Sequence, residues 1–383
     1  MILLEVILWI TFLLFLQTWI AYPVILTILS FRRKQAYTVF YNSDRPSVSV
    51  VVAAYNAVGK ISHKIDNTLH LDYPVEKMEI IIVSDGSSDG TENEARSVTA
   101  PNIKVHALHR NHGKSTAQNE GVRLAKGDII VFTDVDSELD RGFLVNLIPY
   151  FSDPNIACVG GTAVHKSRDG SISASQGSYW RLEQFIRRAE SDLGVLISLP
   201  GWGFAVRKSD FVPLDLDTGD DMVLPMEMAL RGKSSVLAPN AFVTDTMPDS
   251  IKGEMKARQR ITLRNLTALM RRKRLLNPLR YPLMAFGLWS HKLLRWLSPV
   301  LMLVILLSSA ALAAFHPSMI YKLLLILQLV GYAFCAFGLI SIFTKIKIPV
   351  AGQLASFLLA NIGFFLGVLR YATGRKIRGY SNN

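Results

Sequence analysis

Four stretches of this 383-residue chain are too apolar for the interior of an ordinary soluble domain, and all four lie towards its ends. Residues 2–31 carry Glu5 as their one charge, 297–314 carry none, 318–343 carry only Lys322, and 349–369 carry none. Each has about the 20 residues that a bilayer crossing requires. A segment in lipid must satisfy its own backbone, which a helix does. The ends are therefore read as membrane helices, one over 1–31 and about three over 296–371. A cleaved leader is the competing reading of the first, but no basic region precedes the apolar run and the run is too long. The "FRRK" at 31–34 closes it with the basic flank expected on the cytosolic side.

Residues 32–276 are then a cytosolic domain, 277–295 a helix lying in the membrane interface, and 372–383 a basic tail. The 277–295 segment mixes aromatic and aliphatic residues with His291, Lys292 and Arg295, a pattern suited to the headgroup layer. One crossing before the domain and three after it strand the basic tail on the opposite side from Arg32, against the positive-inside bias. Either the 277–295 segment crosses as well, or a C-terminal segment re-enters, or the bias does not hold for this chain.

The net charge of +12 does not indicate nucleic acid. Its basic residues cluster at membrane borders (32–34, 271–274, Lys292 and Arg295, Lys345 and Lys347, 375–378), where anionic lipid headgroups are the natural partner. Cys158 and Cys335 lie far apart and offer neither a disulfide framework nor zinc spacing. A reducing cytosolic face fits that usage.

Within the central region, "SVSVVVAAYN" (47–56), "MEIIIVSDG" (78–86), "NIKVHALHR" (102–110) and "GDIIVFTDVD" (127–136) are short Val- and Ile-rich runs. Helix-compatible stretches around 60–70, 91–98 and 114–125 separate them. Near-continuous apolar strands alternating with helices predict an α/β domain whose mostly parallel sheet is covered on both faces. Ligands in such sheets bind at the carboxyl ends of the strands. The polar loops "AAYNA", "SDGSSDG" and "TDVDS" all fall on that edge.

Asp134 and Asp136 in "FTDVDS" point the same way just past a strand. Two such carboxylates either hold a hard divalent cation, Mg²⁺ or Mn²⁺ bridging to a diphosphate, or form a solvated acidic turn. His109 and His112 lack a third partner and read as surface histidines. Lys114, beside a glycine and opening a helix, suits contact with a phosphate. Asp220 and Asp221 open another helix, whose dipole favours negative charge; N-capping is the competing reading of one of them, and the second, beyond what capping needs, is a candidate general base. Trp202, in "PGWG", either stacks on a sugar ring or sits in the core.

The order "VVAAYN", "IIVSDGSSDGT", "NHGKSTAQNEG", "GDIIVFTDVDS", "TGDDMVLPMEMALRG", flanked by membrane helices, resembles the membrane-integrated family-2 glycosyltransferases with a GT-A domain. The similarity is to the hyaluronan, chitin, cellulose and poly-N-acetylglucosamine synthase branch. It covers about residues 46–266 and, more loosely, the C-terminal helices. The resemblance implies that Asp85 contacts uracil and ribose beside the Ala54, Tyr55 and Asn56 loop, with the loop glycines admitting base and sugar. It implies that Asp136 and Asp134 hold the metal and nucleotide sugar, that Lys114 lies near the nucleotide, and that Asp221 is the catalytic base.

One departure stands out. Where the processive enzymes carry Q-x-x-R-W, this chain reads "RQRITLRNL" (258–266). Gln259, Arg260 and Arg264 supply the polar part, the arginines for the leaving diphosphate and Gln259 for the acceptor. Asn265 follows Arg264, and no tryptophan does. Trp202, with Trp180 as the other retained aromatic, is expected to take over the acceptor contact. The expected activity is inverting transfer from a UDP-linked sugar to a growing polysaccharide at the plasma membrane. The alternative is transfer of one sugar to a polyprenyl phosphate or diacylglycerol. A catalytically silent nucleotide-sugar-binding subunit would have lost an acidic site residue, and Asp85, Asp134, Asp136 and Asp221 are all present.

Overall fold

The computed structural model describes residues 1–32, 37, 39, 45–165, 171–245, 251–344 and 351–375. For 165, 171–180, 251–252, 341–344 and 351–352 it describes the backbone only. The basic clusters at 33–34 and 345–347, and the tail from 376, lie outside the described residues.

The Val- and Ile-rich runs form strands because their branched side chains are packed from both faces. β1 (Val48–Ala54), β2 (Met78–Asp85), β3 (Ile103–Leu108) and β4 (Ile129–Thr133) are parallel neighbours in the order β3-β2-β1-β4. Alternation sends Val50, Val52, Ile80 and Ile82 into one core layer and Val51, Ile81 and Val83 into the other. Helices α3 (Ile61–Leu69), α4 (Thr91–Ser97) and later α6 (Phe143–Leu147) cover the first layer, and α5 (Lys114–Leu124) covers the second. β5 (Glu138–Leu139), β6 (Ile156–His165), β7 (Gly203–Arg207) and β8 (Ser234–Asp245) extend the sheet as β4-β7-β6-β8-β5. β7 runs antiparallel to both β4 and β6. That reversal brings the turn before β7, with Trp202, to the carboxyl end of β4.

Three helices connect this domain to the apolar ends: α7 (Ser171–Asp192), α8 (Asp220–Leu230) and α9 (Ile251–Arg271). The N-terminal helix is α1 (Ile2–Leu16), a π-turn (Gln17–Ala21) and α2 (Tyr22–Arg32). After the domain come α10 (Pro282–Gly287), a π-turn (Leu288–Leu293), α11 (Leu294–Phe315), α12 (Met319–Thr344) and α13 (Ala351–Ala372). Among the described residues, four helical segments are long and apolar enough to cross a membrane: Ile2–Arg32, Pro282–Phe315, Met319–Ile340 and Gln353–Ala372.

Two readings of the sequence change here. The 277–295 segment is not a separate interfacial helix, since from Pro282 it runs without a break into α11. His291, Lys292 and Arg295 do not face headgroups either; they are buried, at 1%, 9% and 3% exposure. Arg271 and Arg272 likewise pair with acids of the domain, Asp217 at 2.7 Å and Glu227 at 2.7 Å. Helix α13 is held against α9 by two glycines: Cβ atoms on Gly363 and Gly367 would meet Arg258 and Thr262.

The glycine- and serine-rich loop after β2 also serves a different purpose from the one its composition implied. Gly86 has φ +67°, and a Cβ there would overlap the backbone of Arg110 and Asn111. It admits the β3–α5 loop. The hydroxyls and acids that follow tie down the loop after β1: Ser87 Oγ accepts from Asn56 N, Thr91 Oγ1 from Ala57 N, and Asp89 from Val58 N. Gly86→Ala is therefore expected to lower stability by about 3 kcal/mol, through strain and overlap together. Gly90→Ala, at φ +94° in open space, should cost only about 1 kcal/mol. Thermal unfolding of the two variants in detergent checks the difference.

Candidate active site

Strand ends and helix starts converge on two cavities that share one lysine. The first, about 440 Å³, is lined by the β1 loop (Ala54, Tyr55, Asn56), Asp85, Lys114, Asp134 and Asp136. The second, about 330 Å³, contains Asp220, Asp221, Trp202, Arg260 and Arg264, and again Lys114 and Asp134. Lys114 Nζ lies 2.7 Å from Asp134 and 3.2 Å from Asp220, so one ammonium joins the end of β4 to the start of α8.

Asp85 is buried, and both its oxygens accept backbone N–H groups, from His112 at 2.9 Å and Gly113 at 2.7 Å. It fixes the loop that carries Lys114 while still lining the first cavity. His109 and His112 are exposed, as their spacing implied. Asp136 pairs with Lys60 at 2.8 Å on the open side. Beneath this turn, buried Lys64 donates to Thr133 Oγ1 at 2.7 Å and to the Ser137 carbonyl at 2.8 Å. Burial pulls its ammonium down to about 7 against the opposing charges of Asp134 and Glu138.

Neither Asp220 nor Asp221 caps α8; the cap position is Gly219, with no side-chain bond. Asp220 instead accepts from Gln118 at 2.7 Å and pairs with Lys114. Burial disfavours its charged form, but Lys114, Gln118 and Arg264 outweigh that and hold its carboxyl below the usual range. Asp221 moves the other way. Burial and then the charge of Asp220 raise it, while Lys292, Arg187 and Lys114 pull it back. Two adjacent acids thus acquire opposite characters, and Asp221 is the one able to take a proton.

Arg264 donates to the Thr218 carbonyl and to Ser115 Oγ at 3.3 Å. Asn265, in the place of the missing tryptophan, packs where a side chain on Gly219 would lie. A tryptophan there would strike the turn into Asp220 and Asp221. Trp202 is half-buried beneath the guanidinium of Arg187, whose Cζ is 5.9 Å from the ring centroid. Gln259 does not line either cavity; its carbonyl faces Gly367 of α13, and the neighbouring Arg258 lines the second cavity instead. The side chain of Trp180 lies outside the described residues.

Asp134 and Asp136 supply hard oxygen donors at the first cavity. Among the described residues no group of three His, Cys, Asp or Glu side chains could hold a metal ion. Two carboxylates fit a divalent cation that takes its remaining oxygens from a ligand diphosphate and water.

Residues 49–212 match the family described as glycosyl transferase family 2. They form a family-2 glycosyltransferase domain. Over 242 residues the chain is 28% identical to the poly-β-1,6-N-acetyl-D-glucosamine synthase of Staphylococcus aureus (strain MSSA476), covering 59% of this chain and 58% of that one. Over 183 residues it is 27% identical to the β-monoglucosyldiacylglycerol synthase of Trichormus variabilis, covering 46% and 39%. The chain thus spans little more than half the length of the first of these relatives. Its fold is similar to that of a mannosyltransferase from Pyrobaculum calidifontis solved in complex with GDP-Man and Mn²⁺. The TM-score is 0.75 at 21% identity, covering 96% of this chain and 99% of that one. The fold is GT-A.

The second cavity also takes residues that sequence reasoning missed. Glu183 of α7 meets Arg187 at 3.2 Å, His291 at 3.0 Å, Lys292 at 3.7 Å and Arg295 at 2.8 Å. Glu190 holds His291 at 2.5 Å and Tyr22 at 2.8 Å. The signal was ionisable residues within an apolar helix, which default to a functional role.

Lys114→Met leaves Asp134 and Asp220 facing each other without their shared cation. Unfolding of the ligand-free protein should show a loss of about 3 kcal/mol, whereas Lys60→Met, at the exposed pair with Asp136, should be nearly neutral.

Proposed function

We propose that the protein is an inverting glycosyltransferase that moves a sugar from a nucleoside diphosphate sugar, UDP-linked, to an acceptor hydroxyl at the membrane. The observation that carries this reading is the pair of cavities meeting at Lys114 and Asp134, with the two candidate metal-binding acids on one side and Asp221 on the other. The nucleotide occupies the first cavity, over the Ala54–Asn56 loop and Asp85. Lys114 and Arg264 lie at its diphosphate end. A divalent cation, Mg²⁺ or Mn²⁺, held by Asp136 and Asp134, neutralises charge on the departing diphosphate when bound. Asp221 takes the acceptor proton as the hydroxyl oxygen attacks the anomeric carbon in line, and the breaking bond leaves its electrons on the nucleoside diphosphate.

A growing glycan resting on Trp202 is the first reading of the acceptor, since that ring borders the cavity that holds Asp221. A single sugar placed on a lipid is the second, favoured by the apolar wall that Ile261, Trp296 and Phe364 contribute from α9, α11 and α13. The catalytic domain would face the cytosol, where nucleotide sugars are made, in the plasma membrane.

The test is transfer by purified full-length protein in nanodiscs, with a panel of nucleotide sugars, Mg²⁺, Mn²⁺ or EDTA, and products sized by mass. Asp221→Asn should lower kcat by ~10²–10⁴ with little change in donor binding. Asp221 acts only when ionised, so activity should fall as pH drops through its raised pKa. Asp220→Asn removes the charge that raises it and should move that acidic limb to lower pH. Equal turnover by metal-stripped enzyme in EDTA would overturn the metal assignment. Trp202→Ala should shorten products or weaken acceptor use while donor affinity holds; one sugar on a lipid as the wild-type product decides for the second reading.

A further inference from the structure

Resting on that reading, we infer that Lys64 is a positioning residue for the divalent cation: its side-chain nitrogen straps together the two ends of the turn that presents Asp134 and Asp136, and so sets where the two carboxylates point.

One face of α3 is given over to this turn. Lys60, at its N-terminal cap position, and His63, Lys64 and Asn67 within it stand at i, i+3, i+4 and i+7, a spacing that lines side chains up along one side of a helix. Each of them meets the segment from 133 to 139. Lys60 reaches Asp136 from the open side at 2.8 Å, and His63 lies 3.9 Å from Glu138. The Asn67 amide donates to the Leu139 carbonyl at 2.9 Å and accepts from the Leu139 N–H at 3.0 Å, which registers β5 on α3. Lys64 stands between these contacts and is buried, at 1% exposure. It donates to Thr133 Oγ1 at 2.7 Å and to the Ser137 carbonyl at 2.8 Å. Those two residues immediately precede Asp134 and immediately follow Asp136. One nitrogen therefore fixes the span on which both acids are carried.

A lysine in such a place needs a reason, because a methionine would fill the same space without desolvating a polar head. What lysine adds is a long stem that ends in donors. Thr133 Oγ1 accepts from it, which leaves the threonine proton for the Trp202 carbonyl at 2.9 Å. Ser137 Oγ is directed at the Asp134 and Trp202 carbonyls, at 2.9 and 3.0 Å, and closes the turn. Asp134, Val135 and Asp136 line the first cavity, whereas Lys64, Thr133 and Ser137 do not. Lys64 thus acts through the turn and not on a ligand. Its charge and its geometry make opposite demands. The charges of Asp134 and Glu138 act on it, so it is near enough to repel a bound cation. As a charge alone, its removal would tighten metal binding; as a strap, its removal would loosen it. The sign of the effect separates the two.

The experiment measures Mn²⁺ binding, by the EPR signal of free Mn²⁺, to the full chain with UDP in nanodiscs of zwitterionic lipid, well below the unfolding temperature of each variant. Lys64→Met should weaken Mn²⁺ by ~10–100-fold, the usual effect of losing a group that orients metal ligands. Transfer activity should then recover as Mn²⁺ is raised by the same factor, which a collapsed site would not allow. Lys60→Met also removes one positive charge beside the acids but no strap, and should leave Mn²⁺ affinity unchanged or tighter. Where Lys64→Met fails to fold, Thr133→Val removes the accepting oxygen at nearly constant shape and should weaken Mn²⁺ in the same direction, with Thr133→Ser restoring it. UDP affinity measured without metal should not change in any of these. Mn²⁺ binding in Lys64→Met as tight as in the wild type or tighter, or equal binding in Thr133→Val and Thr133→Ser, would overturn the inference. So would an equal loss of metal-free UDP affinity in Lys64→Met, which would reduce Lys64 to general packing of the cavity. Asp136→Ala tests the metal assignment separately: uptake of Mn²⁺ equal to that of the wild type would remove that assignment, and the inference with it.

Discussion

Two buried carboxylates of α7 set the relation between the catalytic domain and the apolar helices. Beside Arg187 and the Ile197 N–H, Glu183 and Glu190 take partners from outside the sheet domain: His291, Lys292 and Arg295 from the helix after the domain, and Tyr22 from the one before it. Burial works against ionising Glu183, yet the cations around it, His291 and Lys292 first, hold its carboxyl well below the usual range. Interactions of this kind add little net stability but are costly to break one-sidedly. They therefore fix a register. With α13 locked onto α9 through Gly363 and Gly367, the membrane-type helices become walls of the cavity that contains Asp221. A sheet domain cut free of them would keep the first cavity and lose one wall of the second.

Lys114 joins the two halves of the chemistry. By pairing with Asp134 and Asp220 it ties the state of the first cavity to the electrostatics of the second. Asp220 ionises readily because of it, and the charge on Asp220 adds to burial in raising Asp221. Beneath them Lys64, Thr133 and Ser137 carry the connection on to the Trp202 carbonyl, which accepts from both hydroxyls at 2.9 and 3.0 Å. The acidic turn and the aromatic ring are thus supported by one hydrogen-bonded set.

The sheet was legible because its strands are buried on both faces and read as unbroken aliphatic runs. All four predicted strands formed within a few residues of their expected ends, as did the helices at 61–69, 91–97 and 114–124. The strand-end acids were legible for the same reason, since an abrupt aspartate after such a run has nowhere else to go. What could not be read was anything set by distant contacts. Gly86 and the serines after it looked ligand-directed, but their partners are other loops, and only three-dimensional neighbours reveal that. Asn265 looked like a lost tryptophan; it is a side chain fitted against Gly219. His291, Lys292 and Arg295 looked like an interfacial fringe because composition cannot tell a headgroup from a buried carboxylate more than 100 residues away in the chain.

The two π-turns face one another: Thr18 Oγ1 donates to the Ser290 carbonyl, and the Gln17 amide to Ser290 Oγ at 3.0 Å. A π-turn holds one residue more than an α-helix of the same height, and each extra residue turns everything after it by about 100° about the axis. Between Leu288 and Leu293, that added residue decides which way Lys292 and Arg295, in the wall of the second cavity, aim. Their direction is encoded as a count of residues as much as an identity. Among related chains, a one-residue insertion or deletion in this helix would rotate the cationic wall out of the cavity while leaving every side chain in the alignment intact. Gaps there carry functional information that matched residues would miss.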